Sequence, residues 1–182
     1  MTVRPHRADV DDASATRAVR DFLVALGLDV DGDPELRGTP ERVTAAWRDE
    51  LLEGYGSSPA SALSEALASD ERALVTLTHI DYASVCPHHL LPSYGRAHVG
   101  YLPGGRIVGL GALVRLVEVC ARRLVLQETL GRTVAEALVT HLGARAAGVV
   151  LDGAHTCLTA RGERQSAGRL SGSGGLTRER SS

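Results

Sequence analysis

The chain has 182 residues and a mass of 19.2 kDa, with 43% hydrophobic and 23% charged residues, which indicates one globular domain with at most a small appendage. The formal net charge is −2, so the chain lacks the basic surface of a nucleic-acid binder. All 20 basic residues are arginines, which excludes chemistry that needs a lysine amine, such as a Schiff base. No apolar run approaches the roughly 20 residues of a membrane-spanning helix.

Three cysteines stand far apart in the sequence, at positions 86, 120 and 157. An odd number at such wide spacing does not predict a disulfide framework, so we expect reduced thiols and a cytoplasmic protein. Aromatic residues make up only 3% of the chain. The core is therefore expected to consist mainly of alanine, valine and leucine.

Residues 1–70 are predicted to form an N-terminal helical region. The spacing of apolar residues predicts a helix over 12–26 with Asp12 as its N-cap. A second helix is expected to begin with Thr39 as N-cap and Pro40 in the first turn, and a short helix is expected over 62–68.

Residues 71–162 show a different pattern, and we predict that they form an α+β catalytic domain. Strands are expected over 73–82, 95–102, 106–108, 147–151 and 158–160, and helices over 112–127 and 129–142. The alternation of the first strand slips near His79, which predicts a bulge. The order favours an antiparallel sheet with both helices on one face and with open edges that pair with other subunits. Residues 163–182 have the composition of a flexible tail.

Two short clusters contain the residue types that bind metals. Cys86, His88 and His89 lie in one, and His155 and Cys157 lie in the other. Cys86, His89 and Cys157 would make a zinc site with one open position, as catalytic zinc sites have, leaving His88 and His155 as proton carriers. At this level, a buried cysteine beside surface histidines is an equally good interpretation. A structural zinc domain, with His88 or His155 as fourth ligand, is a further alternative.

Other polar residues carry weaker signals. A carboxylate at Glu128, beside Gln127, is able to accept two hydrogen bonds from a guanine edge, but it also suits the start of a helix. Three arginines are candidates for phosphate binding because a guanidinium matches phosphate oxygens: Arg42, Arg115 and Arg161. Each of them is also compatible with an ordinary solvated surface position. Cys120 lies on the apolar face of a predicted helix and is expected to be a buried hydrophobe. His98 and His141 have no partner nearby in the sequence, and no role is assigned to them.

Several stretches of the chain resemble the GTP cyclohydrolase I family. They are SVCPHHLLPSYGRAHVGYLP, RLVEVCARRLVLQETL and GAHTCLTARG, against the family patterns S-x-C-E-H-H-L-x-P-F-x-G-K-x-H-I-G-Y-I-P, R-x-V-E-x-x-x-R-R-L-Q-x-Q-E-R-L and H-x-C-M-x-M-R-G. The segment TPERVTAAW resembles the family's T-P-x-R-V. The resemblance runs from about Gly38 to Gly162.

This resemblance implies the tunnelling fold, whose β-β-α-α-β-β unit agrees with the predicted order of elements. It also implies a homo-oligomer, expected to be a decamer with active sites at subunit interfaces, and a guanine nucleotide or related purine as substrate. By motif position, the resemblance implies that Zn²⁺ is held by Cys86, His89 and Cys157 and that acid–base catalysis is carried out by His88 and His155. It implies guanine binding by Gln127 and Glu128. It also implies triphosphate binding by three arginines, Arg42, Arg115 and Arg161. The family opens the imidazole ring of GTP at C8, releases formate and, after rearrangement of the ribose, yields 7,8-dihydroneopterin triphosphate.

The sequence departs from the family pattern at the ribose and phosphate end. Where the family has G-L-S-K-L-x-R, the serine and lysine are replaced by Gly111 and Ala112, and the glutamate after the first cysteine is replaced by Pro87. An alternative hypothesis is therefore a diverged paralogue that stops after ring opening and deformylation or uses a purine with fewer phosphates. A non-catalytic, zinc-bearing subunit that binds nucleotide is a second alternative.

Overall fold

The structure is a computed structural model that describes residues 10–162 and the backbone of the strand Arg169–Thr177. Its helices are α1 (Asp12–Ala25), α2 (Thr39–Ala46), α3 (Pro59–Ala62), α4 (Leu110–Ala121), α5 (Gln127–Ala137) and α6 (Thr156–Thr159). Its strands are β1 (Leu67–Ala68), β2 (Val75–Val85), β3 (Pro92–Leu102), β4 (Arg106–Ile107), β5 (Ala146–His155) and β6 (Arg169–Thr177). One π-helical turn extends α2 over Trp47–Leu51, and another extends α5 over Leu138–Leu142.

Four antiparallel strands form the main sheet in the order β2-β3-β5-β6, and β1 pairs with β4 in a separate two-stranded ladder. Helices α4 and α5 pack together against one face of the main sheet. Strands β3 and β5 pair without interruption, from Ser93 opposite His155 to Leu102 opposite Ala146. The predicted α+β class, with two helices on one face of an antiparallel sheet, is confirmed.

The fourth strand of the sheet is not where the sequence predicts it. Residues 158–160 were expected to be a strand, but Thr156–Thr159 form the short helix α6. Within the segment expected to be a flexible tail, β6 pairs along β5 from Arg169 opposite Ala154 to Thr177 opposite Ala146. The glycine-rich sequence of β6 has weak strand propensity, and it is ordered by backbone pairing with the otherwise open edge of β5. Residues 163–168 and 178–182 lie outside the described part of the chain.

The predicted bulge in the first strand is confirmed. The register between β2 and β3 shifts between Leu77 and Ile80, and His79 has a φ of 61°. A positive φ is uncommon in a residue with a side chain, and here it lets β2 resume its inward-facing alternation at Ile80.

The core lies between the inner face of the sheet and helices α4 and α5. Full burial of one valine or leucine side chain contributes about 1.5–3 kcal/mol to the stability of the fold. Cys120 is only 2% exposed, as expected for a small buried hydrophobe. Apart from Ile80, Tyr82 and Tyr101, the core's larger members are mostly valine and leucine, including Val99, Leu113, Leu116, Val117, Leu130, Val134, Leu138, Leu142, Val149 and Leu151.

The N-terminal helices differ from the prediction in their boundaries. Asp11, not Asp12, is the N-cap of α1, since its carboxylate accepts a hydrogen bond from the Ser14 N–H at 3.0 Å. Gly38, in the left-handed conformation, precedes α2, so Thr39 is its first residue and not its cap. The short helix predicted over 62–68 is wrong: α3 covers Pro59–Ala62, because Ser58 forms a capping box that starts the helix earlier.

Helix α1 leaves apolar side chains on its surface. Phe22 is 63% exposed, and Leu26, directly after the helix, is 62% exposed. Among the helices of the described residues, none combines the length and apolarity needed to cross a membrane.

Candidate functional site

The tight connection between β2 and β3 carries two of the candidate metal ligands. Cys86 directly follows β2, and His89 lies three residues further on. Two backbone hydrogen bonds close this turn: the Cys86 N–H donates to the Leu91 carbonyl (3.0 Å), and the Leu90 N–H donates to the Cys86 carbonyl (2.9 Å). Leu90 has a φ of 55°, so the chain reverses direction at this point. Pro87 occupies a turn position, where its fixed φ is well tolerated.

The third candidate ligand reaches the site from the end of β5. His155 ends that strand opposite Ser93, and Cys157 follows in α6. The Thr156 hydroxyl donates to the Pro92 carbonyl at 2.6 Å, which ties the start of α6 to the start of β3. The sheet register thus carries Cys157 to the turn that follows Cys86.

Cys86, His89 and Cys157 converge, as the sequence predicts. One ligand atom from each lies within 4.8 Å of the other two. A tetrahedral zinc ion holds such atoms about 3.3–3.8 Å apart, given bonds of about 2.0–2.3 Å, so these separations need to contract by at most about 1.5 Å to close the group around an ion. Two thiols and an imidazole are a soft donor set that suits zinc and leaves a coordination position for solvent. The group therefore fits a metal ion of this class.

A buried hydrogen-bond network lies beside this group. The His155 Nε2 atom lies 2.9 Å from Gln127 Oε1, and the Tyr82 hydroxyl donates to the same oxygen at 3.2 Å. Gln127 Nε2 donates to the Leu151 carbonyl at 3.2 Å. Burial raises the pKa of Tyr82 to about 12, and the charge of Asp152 adds to the shift. The predicted acid–base residue His155 is thus hydrogen-bonded to Gln127 at the start of α5, and Gln127 is in turn hydrogen-bonded to Tyr82 of β2.

The second predicted acid–base residue lies on the solvent side of the same turn. His88 is exposed, and its ring centroid lies 6.4 Å from that of His89. His89 also lines an apolar groove of about 890 Å³ between α1, α2 and the Cys86–Leu91 turn. The two predicted acid–base histidines therefore have different surroundings, since His155 is half-buried against the sheet and His88 is open to solvent.

Comparison with known proteins identifies the family. The sequence profile of GTP cyclohydrolase I matches residues 15–176. The chain belongs to the GTP cyclohydrolase I family. Curated relatives named GTP cyclohydrolase 1 agree with this assignment over most of their length.

Three such relatives illustrate the similarity. The GTP cyclohydrolase 1 of Rhodopirellula baltica is 44% identical over 88% of this chain and 69% of its own. That of Bifidobacterium longum (strain NCC 2705) is 44% identical over 87% of this chain and 79% of its own, and that of Thermobifida fusca is 41% identical over 87% and 76%. Among solved structures, an archaeosine synthase QueF-Like in the apo form matches 58% of this chain and 95% of its own, with a TM-score of 0.48 and 17% identity.

The arginines expected at the triphosphate are not joined to the Cys-His-Cys group within one chain. Arg42 donates to the Arg37 carbonyl and the Thr39 hydroxyl, Arg115 pairs with Glu65 at 3.1 Å, and Arg161 is exposed after α6. Glu128 is also exposed, next to the buried Gln127. Across residues 10–162, no hydrogen bond or ion pair connects these three arginines or Glu128 to the metal ligands.

Two of the positions that depart from the family pattern, Gly111 and Ala112, lie at the start of α4. Ala112 is only 3% exposed and belongs to the hydrophobic core. Gly111 is exposed, and a Cβ atom there would lie 3.5 Å from Arg115 Nη1. The replacements for the family's serine and lysine thus offer neither a hydroxyl nor a charge beside Arg115.

Sequence reasoning missed two residues of the site and one contact outside it. Tyr82 was not singled out, and neither was Gly153, at which a Cβ atom would lie 2.4 Å from the Tyr82 hydroxyl oxygen. The available signals were the inward alternation of β2 and the position of Gly153 two residues before His155. His98, for which no partner was expected, contacts His79 edge-on with ring centroids 4.9 Å apart. Pairing across the β2–β3 bulge produces that contact, and sequence spacing does not reveal it.

Proposed function

We propose that this chain is a zinc-dependent hydrolase of the GTP cyclohydrolase I type, which converts GTP to 7,8-dihydroneopterin triphosphate with release of formate. The observation that carries the proposal is the convergence of Cys86, His89 and Cys157 beside His155, in a member of this family. When bound, zinc supplies a Lewis acid that lowers the pKa of a coordinated water to about 7. The thiol ligands require a reducing compartment, so the cytoplasm is the proposed location.

The two histidines beside the metal ligands would move protons during ring opening. His155 holds a proton at Nε2, because that atom faces the oxygen of Gln127, which only accepts. His88 is exposed and exchanges protons with solvent. Histidine is the side chain that most often acts as a general acid or base in enzymes, which suits both residues to this role.

The exposed carboxylate of Glu128 would bind the base. It is able to accept hydrogen bonds from the ring N–H and the exocyclic amine of guanine. Gln127, which the family resemblance also assigns to guanine, is buried, and its carboxamide bonds to Tyr82, His155 and Leu151. Its proposed role is therefore to support this end of the site from inside the fold. Arg42, Arg115 and Arg161 would bind the triphosphate, since a guanidinium matches phosphate oxygens in charge and geometry.

The complete site is proposed to form between subunits of a homo-oligomer, expected to be a decamer. Two observations support this. Among the described residues, the three arginines and Glu128 make no hydrogen bond or ion pair with the metal ligands. Phe22 of α1, which lines the same groove as His89, is an exposed apolar side chain, and so is Leu26, directly after that helix.

The decisive variant is His88→Ala in the zinc-loaded protein. Removing a general acid or base slows catalysis by about 10²–10⁴-fold, so formate release from GTP is expected to fall at least a hundredfold, while the zinc content stays at that of the wild type. His141→Ala, at an exposed position at the end of α5, is the matched control and should retain full activity. Unchanged turnover in His88→Ala would contradict the assignment and favour a non-catalytic nucleotide-binding subunit.

A second candidate is a truncated reaction that stops after ring opening, or a purine substrate with fewer phosphates. It is favoured by the burial of Ala112 in the core and the pairing of Arg115 with Glu65. We distinguish the complete reaction from the truncated one by measuring formate release and pterin fluorescence separately, with GTP, GMP and guanine as substrates. Formate without fluorescence supports the truncated reaction, and equal yields of both from GTP exclude it.

A further inference from the structure

A buried tyrosine hydroxyl lies directly behind the candidate active site. Tyr82 points inward from β2, four residues before Cys86, and is only 6% exposed. Its hydroxyl donates to Gln127 Oε1 at 3.2 Å. Because burial raises the pKa of Tyr82 to about 12, the hydroxyl stays protonated and remains a donor throughout the neutral range.

The chemistry of the neighbours fixes which way the Gln127 amide faces. One end of the amide lies 3.2 Å from the Leu151 carbonyl, and a carbonyl only accepts hydrogen bonds. The amide nitrogen must therefore face Leu151, and the amide oxygen must face Tyr82 and His155. An amide turned the other way would place two oxygens against each other at Leu151.

The orientation of the amide in turn determines the state of His155. Its Nε2 atom lies 2.9 Å from the same amide oxygen, so Nε2 carries the hydrogen of that bond. The ring is then held with Nδ1 as its unprotonated nitrogen in the neutral form. The Tyr82 hydroxyl and the His155 ring thus donate to the same acceptor, Gln127 Oε1. The hydrogen bond from Tyr82 keeps this oxygen directed at His155.

The backbone of β5 leaves room for this arrangement at one position. A Cβ atom on Gly153 would lie 2.4 Å from the Tyr82 hydroxyl oxygen and 2.8 Å from Gln127 Oε1. Any side chain at 153 would therefore displace one or both groups. The site accommodates the tyrosine hydroxyl because a glycine faces it across the sheet.

We propose that Tyr82 is a positioning residue, which acts through the Gln127 carboxamide to orient the ring of His155. Its effect on turnover rests on the proposed function, whereas its effect on the position of the ring does not. Among the described residues, no hydrogen bond joins this hydroxyl to a metal ligand, and Tyr82 is only 6% exposed. Its loss should therefore change the chemical step and not substrate binding.

The test compares Tyr82→Phe with Tyr101→Phe in the zinc-loaded protein. Tyr101 is the matched control: it is 1% exposed in the same sheet, and its hydroxyl accepts a hydrogen bond from the Val108 N–H at 3.3 Å. The net contribution of one neutral hydrogen bond corresponds to about two- to tenfold in rate. We expect kcat for formate release to fall about fivefold in Tyr82→Phe, with KM for GTP within twofold and zinc content unchanged, and kcat to stay at the wild-type value in Tyr101→Phe.

A double variant tests whether Tyr82 acts through Gln127. Once Gln127→Ala has removed the shared acceptor, adding Tyr82→Phe is expected to have no further effect on kcat. A further fivefold loss would show that Tyr82 acts independently and would overturn the proposal. Equal loss of kcat in Tyr82→Phe and Tyr101→Phe would also overturn it, because the effect would then be general destabilisation.

A crystal structure of Tyr82→Phe separates this proposal from the proposed function. We expect Gln127 Oε1 and His155 Nε2 to move beyond hydrogen-bond distance, past about 3.5 Å. If the wild type releases no formate from GTP, the proposed function fails, and this distance still decides the role of Tyr82. A distance that stays near the wild-type value would overturn the positioning role, whatever the activity.

Discussion

Two buried protic side chains in the core, Tyr82 and Cys120, are kept neutral by their surroundings. Burial raises the pKa of the Tyr82 hydroxyl to about 12 and that of the Cys120 thiol to about 11. In the unfolded chain both groups lose their protons at lower pH. The two neutral groups therefore contribute to the free energy of unfolding at neutral pH. This contribution is lost as the pH rises through their folded pKa values.

The contribution of Cys120 is expected to vanish between about pH 9 and pH 11. It is fully present below the unfolded pKa of 9.0 and is lost as the pH rises through the folded pKa, with a total of about 2–3 kcal/mol. In Cys120→Ala, the free energy of unfolding should therefore fall less steeply over this range than in the wild type. Urea denaturation at fixed protein concentration measures both slopes, and coincident slopes would contradict the expectation.

At the scale of single residues, the metal ligands were predictable and their supporting network was not. Cys86, His89 and Cys157 are residue types with few roles other than metal binding or burial, so their clustering near histidines was informative. The contact between Tyr82 and Gln127 depends on the register of β2 and on how α5 packs against the sheet. Tyrosine and glutamine have many ordinary roles, and nothing in their spacing indicates that they meet.

Among the elements, strand β6 shows how sheet pairing overrides local propensity. Its backbone pairs with β5 over nine residues and covers an edge that carries the exposed Val150. The β2–β3 bulge was predictable because it breaks the alternation of apolar residues within one strand. Strand β6 was not predictable, because its sequence contains three glycines and its partner lies in another part of the chain.

Removing β6 is expected to destabilise the protein strongly. A chain truncated after Gly162 leaves the N–H and C=O groups of β5 unpaired at an open edge, which favours aggregation. We expect a lower thermal midpoint and oligomers of irregular size by size-exclusion chromatography. Truncation after Thr177 keeps β6 and is the control; equal behaviour of the two truncated proteins would show that β6 does not contribute.

For the whole molecule, the N-terminal helices lie beside the site and expose apolar surface. Phe22 and Leu26 are exposed, and the groove between α1, α2 and the Cys86–Leu91 turn is lined mainly by apolar side chains. Contiguous apolar surface of this kind marks an interaction site. The open edges of the predicted sheet and the family resemblance both predict neighbouring subunits, but a single sequence does not determine how those subunits are arranged.

Phe22→Ser is expected to weaken the proposed homo-oligomer. A fully buried phenylalanine contributes about 1.5–3 kcal/mol, and this contribution would be lost at every symmetric contact. Light scattering coupled to size-exclusion chromatography should show a smaller mass at low protein concentration, and formate release should fall together with the mass. Asp21→Ser, at the adjacent exposed position, should leave both unchanged. A wild-type-sized assembly in Phe22→Ser would show that α1 lies outside the interface.

The convergence of Cys86 and Cys157 also makes the site sensitive to oxidation. The two sulfurs lie within 4.8 Å of each other, so a relative movement of at most about 2.8 Å brings them to the bond length of about 2.05 Å found in a cystine. An oxidant that removes two electrons from this pair competes with the divalent cation for the same atoms. Metal-free protein exposed to air is therefore expected to lose its ability to bind zinc. Treatment with a thiol reductant should restore zinc binding.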